Sequence, residues 1–240
     1  MKYVIIDAGH NEFTAGKRSP DSSLREWEFN RDVARRLALL LTTRGFKTKV
    51  IFTAYTDSKT DVNERVKIAN AEKADILVSI HANAAGEAGW YRGEDDFTWN
   101  TANGWEIFCY KPQNKGEGYK LAEAIHDASI PFLGLKDRGI KDGSHLGMVA
   151  RTNMPAVLIE HAFYTNEKEC ALLKTTEFRE KCAEAAAKGI CDYFGVDVDD
   201  AKTSYRQAVK DRFGFTDGTM DYLGNYKYAD DLLKKLATKG

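Results

Sequence analysis

Short apolar runs alternate with amphipathic stretches through the first 194 residues, and few folds accept that alternation. The runs at 2–7, 47–53, 76–81, 106–110 and 156–160 are too short for helices and rich in β-branched or aromatic residues, so they read as strands. Between the first two, residues 28–44 place Phe29, Val33, Leu37 and Leu40 or Leu41 on one helical face, with Gly45 as the C-cap. Further helices are predicted over 61–72, 118–132 and 176–194. This alternation predicts an α/β fold: a doubly wound, mostly parallel twisted sheet flanked by helices.

A chain of 240 residues has room for one such domain and a small appendage. The acidic segment Val196-Asp-Val-Asp-Asp200 marks the boundary, giving a domain at 1–195, a linker at 196–200 and a small helical module at 201–240. The module carries eight basic, five acidic and six aromatic residues. So short a piece does not bury a core alone, so it is expected to dock on the main domain or to pair with a partner. A net charge of −1 leaves no electrostatic footprint for nucleic acid or an anionic membrane. No run approaches the ~20 apolar residues of a membrane span, so no membrane insertion is expected. Met1-Lys2 leads straight into a strand without the marks of a signal peptide, and the expectation is synthesis in the cytoplasm. The four cysteines form no CxxC pair and are expected as reduced thiols, mostly in the core.

Chemistry gathers at the predicted strand ends. In an open parallel sheet the carboxyl ends of the strands line one crevice, where ligands bind. His10 follows the first strand after the small turn Asp7-Ala-Gly9, and His81 stands in Ser79-Ile-His-Ala-Asn83 at the end of another. Imidazoles and a carboxylate in such a crevice suit Zn²⁺ with one position open for water, which points to a hydrolase. Glu26 and Glu28 are the candidates for the third ligand. Glu28 sits nearer the solvated face of the helix, while Glu26 precedes the first apolar turn and can reach back to the strand ends. Glu160 ends the run Ala156-Val-Leu-Ile159, where a carboxylate is costly without a cation or donors beside it. There it can serve as general base and then proton donor, or pair with Arg138 or Arg151. His161 points to the opposite face by strand alternation and is expected to be structural; His126 and His145 are expected at the surface. The long 82–104 segment, with Trp90 and Trp99, suits a lid or binding wall.

Five segments taken in order, Ile5-Ile-Asp-Ala-Gly-His10, the Glu26 segment, Arg65-Val-Lys-Ile-Ala-Asn70 running into Ser79-Ile-His-Ala-Asn83, Met154-Pro-Ala-Val-Leu-Ile-Glu160, and Phe163-Tyr-Thr-Asn166, resemble the zinc-dependent N-acetylmuramoyl-L-alanine amidases of the amidase-3 family. The resemblance covers about residues 2–194. It implies that His10, Glu26 and His81 hold Zn²⁺ and that Glu160 activates the attacking water. The bond cut is then the amide joining N-acetylmuramic acid of peptidoglycan to L-alanine of its stem peptide. Asn83, Arg138 and Arg151 are candidates for contacting stem-peptide carboxylates or carbonyls. A phage endolysin released through a membrane lesion, or a bacterial autolysin, is the expected setting. The module at 201–240 is expected to bind wall polymers or to form a homodimer. The rivals are a zinc carboxypeptidase or endopeptidase acting on stem peptides and a non-catalytic wall-binding protein. The chain has no HExxH helix pair, which disfavours a thermolysin-like protease.

Overall fold

The computed structural model describes residues 1–55, 58–86 and 98–196, with isolated positions between 209 and 236. Its elements run β1 (Tyr3–Ala8), α1 (Glu26–Thr43), β2 (Lys47–Ile51), α2 (Ser58–Ala71), β3 (Ile76–Asn83), β4 (Trp105–Cys109), α3 (Glu117–Leu133), β5 (Asp137–Asp142), α4 (Gly147–Ala150), β6 (Ala156–Phe163), α5 (Glu167–Leu173) and α6 (Thr176–Phe194). The strands form one sheet in the order β2-β1-β3-β6-β4-β5. The first four are mutually parallel, as expected, while β4 pairs antiparallel with β6 and carries β5 parallel to itself.

Strand alternation divides the core between the two faces of the sheet. Val4 and Ile6 of β1, with Ile76, Val78 and Ile80 of β3, join the larger cluster with Phe29, Val33 and Leu37 of α1, Ile125 of α3 and Ile190 of α6. Ile5 and Leu77 face the other way, against Val66 and Ala69 of α2 and Met148 of α4. This is the helix–sheet–helix sandwich that a doubly wound pattern requires. The α3–α6 packing is close: a Cβ on Gly189 would lie 2.4 Å from the Ile125 Cα, so only glycine lets these helices approach this far.

Two strands outrun their apolar patterns. β3 continues to Asn83 and β6 to Phe163, so His81 and Glu160 lie inside their strands rather than at the last residue. β5 was not legible as a strand because it is polar and has no buried residue at the sheet edge, and α4 and α5 are too short for a periodic signal. All four cysteines are free and buried, as expected. Most of the 196–200 linker and of the 201–240 module lies outside the described residues, as does the 87–97 part of the Trp-rich segment with Trp90. Val209 is described and buried; it packs with Phe215, Leu223, Leu236 and Leu39 of α1. No described helix is long and apolar enough to cross a membrane.

Candidate metal centre and active site

Register carries the site residues to one place. In parallel pairing, adjacent residues share a face of the sheet, so Asp7 lies beside Ser79, and His81 lies beside Glu160. Antiparallel pairing then sets Glu106 of β4 on the far side of Glu160. His81, Glu160 and Glu106 thus form a row across three neighbouring strands, about 5 Å apart per step.

The third wall is the start of α1. Glu26 is its first residue and is 1% exposed, while Glu28 is exposed and folds back on the Arg25 N–H. Glu26 lies between the two imidazoles: its Oε2 is 3.4 Å from His10 Nε2 and its Oε1 is 3.0 Å from His81 Nδ1. The rings stand edge to face with centroids 5.0 Å apart. His10, Glu26 and His81 form a group that could hold a metal ion, with one ligand atom from each lying within 4.8 Å of the others.

Local backbone explains how three bulky groups meet. His10 adopts φ +58°, a left-handed conformation costly for a side chain that is not glycine, and this turns its ring back over the strand end. Gly9 leaves room for the other ring, since a Cβ there would lie 2.2 Å from Cε1 and Nε2 of His81. Asn30, one turn along α1, donates from Nδ2 to the Gly9 carbonyl at 2.9 Å and to Glu26 Oε1 at 3.2 Å, so the turn and the carboxylate are fixed by one amide. Beneath them Arg65 of α2, 2% exposed, donates to Asp7 Oδ2 at 2.7 Å and to Asp61 Oδ2 at 3.0 Å. Ser79 Oγ donates to Asp7, and Asn11 Nδ2 to Asp61, so this network anchors the chain on both sides of His10.

The electrostatics follow from burial. Burial drives His10 down to about 3, against the pull of Glu26, and leaves its imidazole neutral with a lone pair free for coordination. Burial also opposes ionisation of Glu26, but the His10 and His81 imidazoles and the Lys17 ammonium outweigh it and hold the carboxyl below its ordinary range. Glu160 is the opposite case: burial, then the charges of Glu26 and Glu106, push it well above the usual carboxylate range. Its Oε2 is buried with no hydrogen-bond partner among the described residues. A desolvated carboxyl facing two others belongs beside a cation.

The remaining sequence candidates separate. Asn83 and Arg138 converge on Glu106, donating to its two oxygens at 2.6 Å and 3.0 Å, and Arg138 also covers the Phe163 ring. They border the row of carboxylates, but their visible partner is protein. Arg151 is not brought to the site; it donates to Asn63 of α2 at 2.7 Å. Neither arginine pairs with Glu160. The His161 ring is fully buried, edge-on to Phe29 and Trp105, with its pKa lowered to about 3 by burial. His126 is half-buried and bridges Asp127 and Asp137, and His145 is exposed beside Phe108.

Comparison with known proteins identifies the family. Residues 4–192 match the amidase-3 family, described as N-acetylmuramoyl-L-alanine amidase. The chain is 31% identical over 195 residues to an endolysin of Bacillus phage SPP1, covering 80% of this chain and 65% of that one. It is 29% identical over 191 residues to the N-acetylmuramoyl-L-alanine amidase LytC of Bacillus subtilis, covering 80% of this chain but only 35% of that longer protein. Among solved structures, the catalytic domain of the amidase CwlV from Bacillus (Paenibacillus) polymyxa is 30% identical with a TM-score of 0.66, covering 82% of this chain and 100% of that one. An N-acetylmuramoyl-L-alanine amidase from Clostridium difficile 630 superposes with a TM-score of 0.67 at 28% identity, covering 81% of this chain and 97% of that one. Motif order, fold and the convergence of His10, Glu26, His81 and Glu160 all fall within the matched span, and the chain belongs to the amidase-3 family.

Proposed function

We propose that this chain hydrolyses the amide between N-acetylmuramic acid and L-alanine in peptidoglycan, using zinc held by His10, Glu26 and His81. The observation that carries the proposal is the buried Glu26 carboxylate between two imidazoles, with the Glu160 carboxyl, its Oε2 unpartnered among the described residues, beside His81 on the next strand. The donor set fits: two imidazoles and one carboxylate are the ligands of many catalytic zinc sites. Neighbouring donors around tetrahedral zinc lie ~3.3 Å apart, from metal–ligand distances of about 2.0–2.1 Å. One donor atom from each of the three residues lies within 4.8 Å of the others, so a bound ion would draw the group slightly together.

Zinc, when bound, supplies the positive charge that polarises the amide carbonyl, acidifies water and offsets the negative field around Glu160. Glu160 takes the proton from the attacking water and delivers it to the departing nitrogen of L-alanine. The products are the lactyl carboxylate on the glycan and a free amine on the stem peptide. Glu106 keeps the field around Glu160 negative, and Asn83 and Arg138 fix its carboxylate in place. The endolysin relative supports action on the cell wall, and release by lysis or a holin-type route is the setting proposed with it. The module at 201–240 is proposed to aid wall binding or dimerisation.

Mass spectrometry of digested, purified peptidoglycan tests the reaction. Stem peptides with a free L-alanine amino terminus are the expected product; cuts inside the stem would make the chain a peptidase, and wall binding without products a binding module. A second expectation arises at Gly9. A methyl group there displaces the His81 ring, which Glu26 holds from the other side, so Gly9→Ala should weaken zinc binding by about 10- to 100-fold. Competition against a chromophoric chelator measures this, and unchanged affinity would show that the ring has room to move.

A further inference from the structure

Beside the metal centre lies a cavity of about 140 Å³ whose walls include His10, Glu12, Trp27, Arg31, Phe52 and Thr53. His10 belongs both to this cavity and to the candidate ligand set, so a group bound here is continuous with the reacting bond. Its floor is aromatic, but its unanswered polar groups are donors. The Trp27 Nε1 is buried without a hydrogen-bond partner. Arg31 stacks its guanidinium over both the Trp27 and Phe52 rings, at 5.8 and 5.4 Å, and Arg35 covers Phe52 at 5.4 Å. Among the described residues neither arginine has a carboxylate partner, although Arg36 on the same helix has one in Asp32. The acid in the lining, Glu12, is exposed. The Arg31 guanidinium, without a carboxylate partner among the described residues and lying over two aromatic rings of the lining, favours an anionic acceptor, with Arg35 over Phe52 just outside the lining.

Charge decides which side of the substrate this cavity takes. Of the two sides of the scissile amide, the glycan presents neutral N-acetylated sugars, while the stem peptide carries its first free carboxylate on the acidic residue joined to L-alanine. A guanidinium without a carboxylate partner beside His10 favours the second. We propose that the Trp27–Arg31–Phe52 cavity is a specificity subsite that binds the free α-carboxylate of the glutamyl residue following L-alanine in the stem peptide. The inference rests on the amidase function proposed above. It also sets the direction of the substrate: the stem peptide leaves the metal toward β2 and α1.

Two soluble disaccharide-tripeptides test it, identical except that the glutamyl α-carboxyl is free in one and amidated in the other. A charge-assisted hydrogen bond lost on amidation should lower kcat/KM by about tenfold, mainly through KM. In Arg31→Gln the ratio of the two kcat/KM values should fall to near one. Arg31 is exposed on α1, so this variant should fold, and Arg35→Gln should show a smaller change in the same direction. Equal kcat/KM for the two substrates in the unaltered protein, or a preference that survives Arg31→Gln, would overturn the subsite. An equal rise in KM for both substrates in Arg31→Gln would move the contact to a group other than the carboxylate and overturn it too. Failure to cleave either substrate would instead strike the proposed amidase function itself.

Discussion

Glu160→Gln is expected to lower turnover on peptidoglycan by a factor of about 10² to 10⁴ while leaving wall binding and zinc content unchanged. Glutamine keeps the shape and one acceptor oxygen but neither takes a proton from water nor delivers one to the leaving amine. The energetics of the site make the variant informative. Glu160 is half-buried with the charges of Glu26 and Glu106 opposing its ionisation, and its Oε2 is buried with no hydrogen-bond partner among the described residues, so its carboxylate form is poorly supported by the protein alone. The zinc-free variant should therefore be no less stable than the parent, and slightly more stable at neutral pH, where glutamine has no charge to bury. Rates on a soluble muropeptide, metal content and a thermal melt give the three readings. Unchanged lysis would remove Glu160 from the chemistry; inactivity with lost zinc would make it a metal-site residue instead of a base.

The largest effect on stability is expected beneath the site. Arg65→Ala leaves Asp7 and Asp61 buried without their cation, and breaking such a pair from one side costs about 3–5 kcal/mol. Asp7 is fully buried and Asp61 is 1% exposed, so water does little to screen their repulsion. Asp7 stands three residues before His10, and Asn11 holds Asp61, so loosening this network should also weaken zinc binding. Adding Asp7→Asn and Asp61→Asn to an Arg65→Met background should recover much of the loss, because the uncompensated charges are then gone. Guanidinium unfolding of the zinc-free proteins measures it. A cost below about 1 kcal/mol, typical of an exposed pair, would mean that the network is solvated in solution.

The legible parts of this chain were those set by local pattern. β1, β3 and β6 could be found because each is an apolar run, and His10, His81 and Glu160 because polar groups interrupt or end those runs. Glu26 could be chosen over Glu28 because helix geometry faces them differently, and in the structure one is buried and the other exposed. Glu106 was not picked out as a site residue, although it too is a charge within an apolar strand, because its meaning depends on β4 pairing antiparallel with β6. Nothing within five residues of Glu106 encodes that partner. The same holds for Asp7 and Arg65, 58 positions apart in sequence and 2.7 Å apart in space. Asn30 had a local signal, an amide one helical turn after a candidate ligand, and it went unread. Arg151 shows the limit of sequence proximity: a guanidinium close in sequence to Glu160 whose side chain turns to α2.

The central claim is one catalytic zinc per chain, held by His10, Glu26 and His81. It is tested most directly by stripping the protein with a chelator and adding zinc back in measured steps, while following the release of L-alanine amino termini from purified peptidoglycan. The account predicts that the stripped protein is inactive and that activity returns linearly to a plateau at one zinc per chain. Full activity in the metal-free protein, or a plateau that does not track zinc at this stoichiometry, would contradict it.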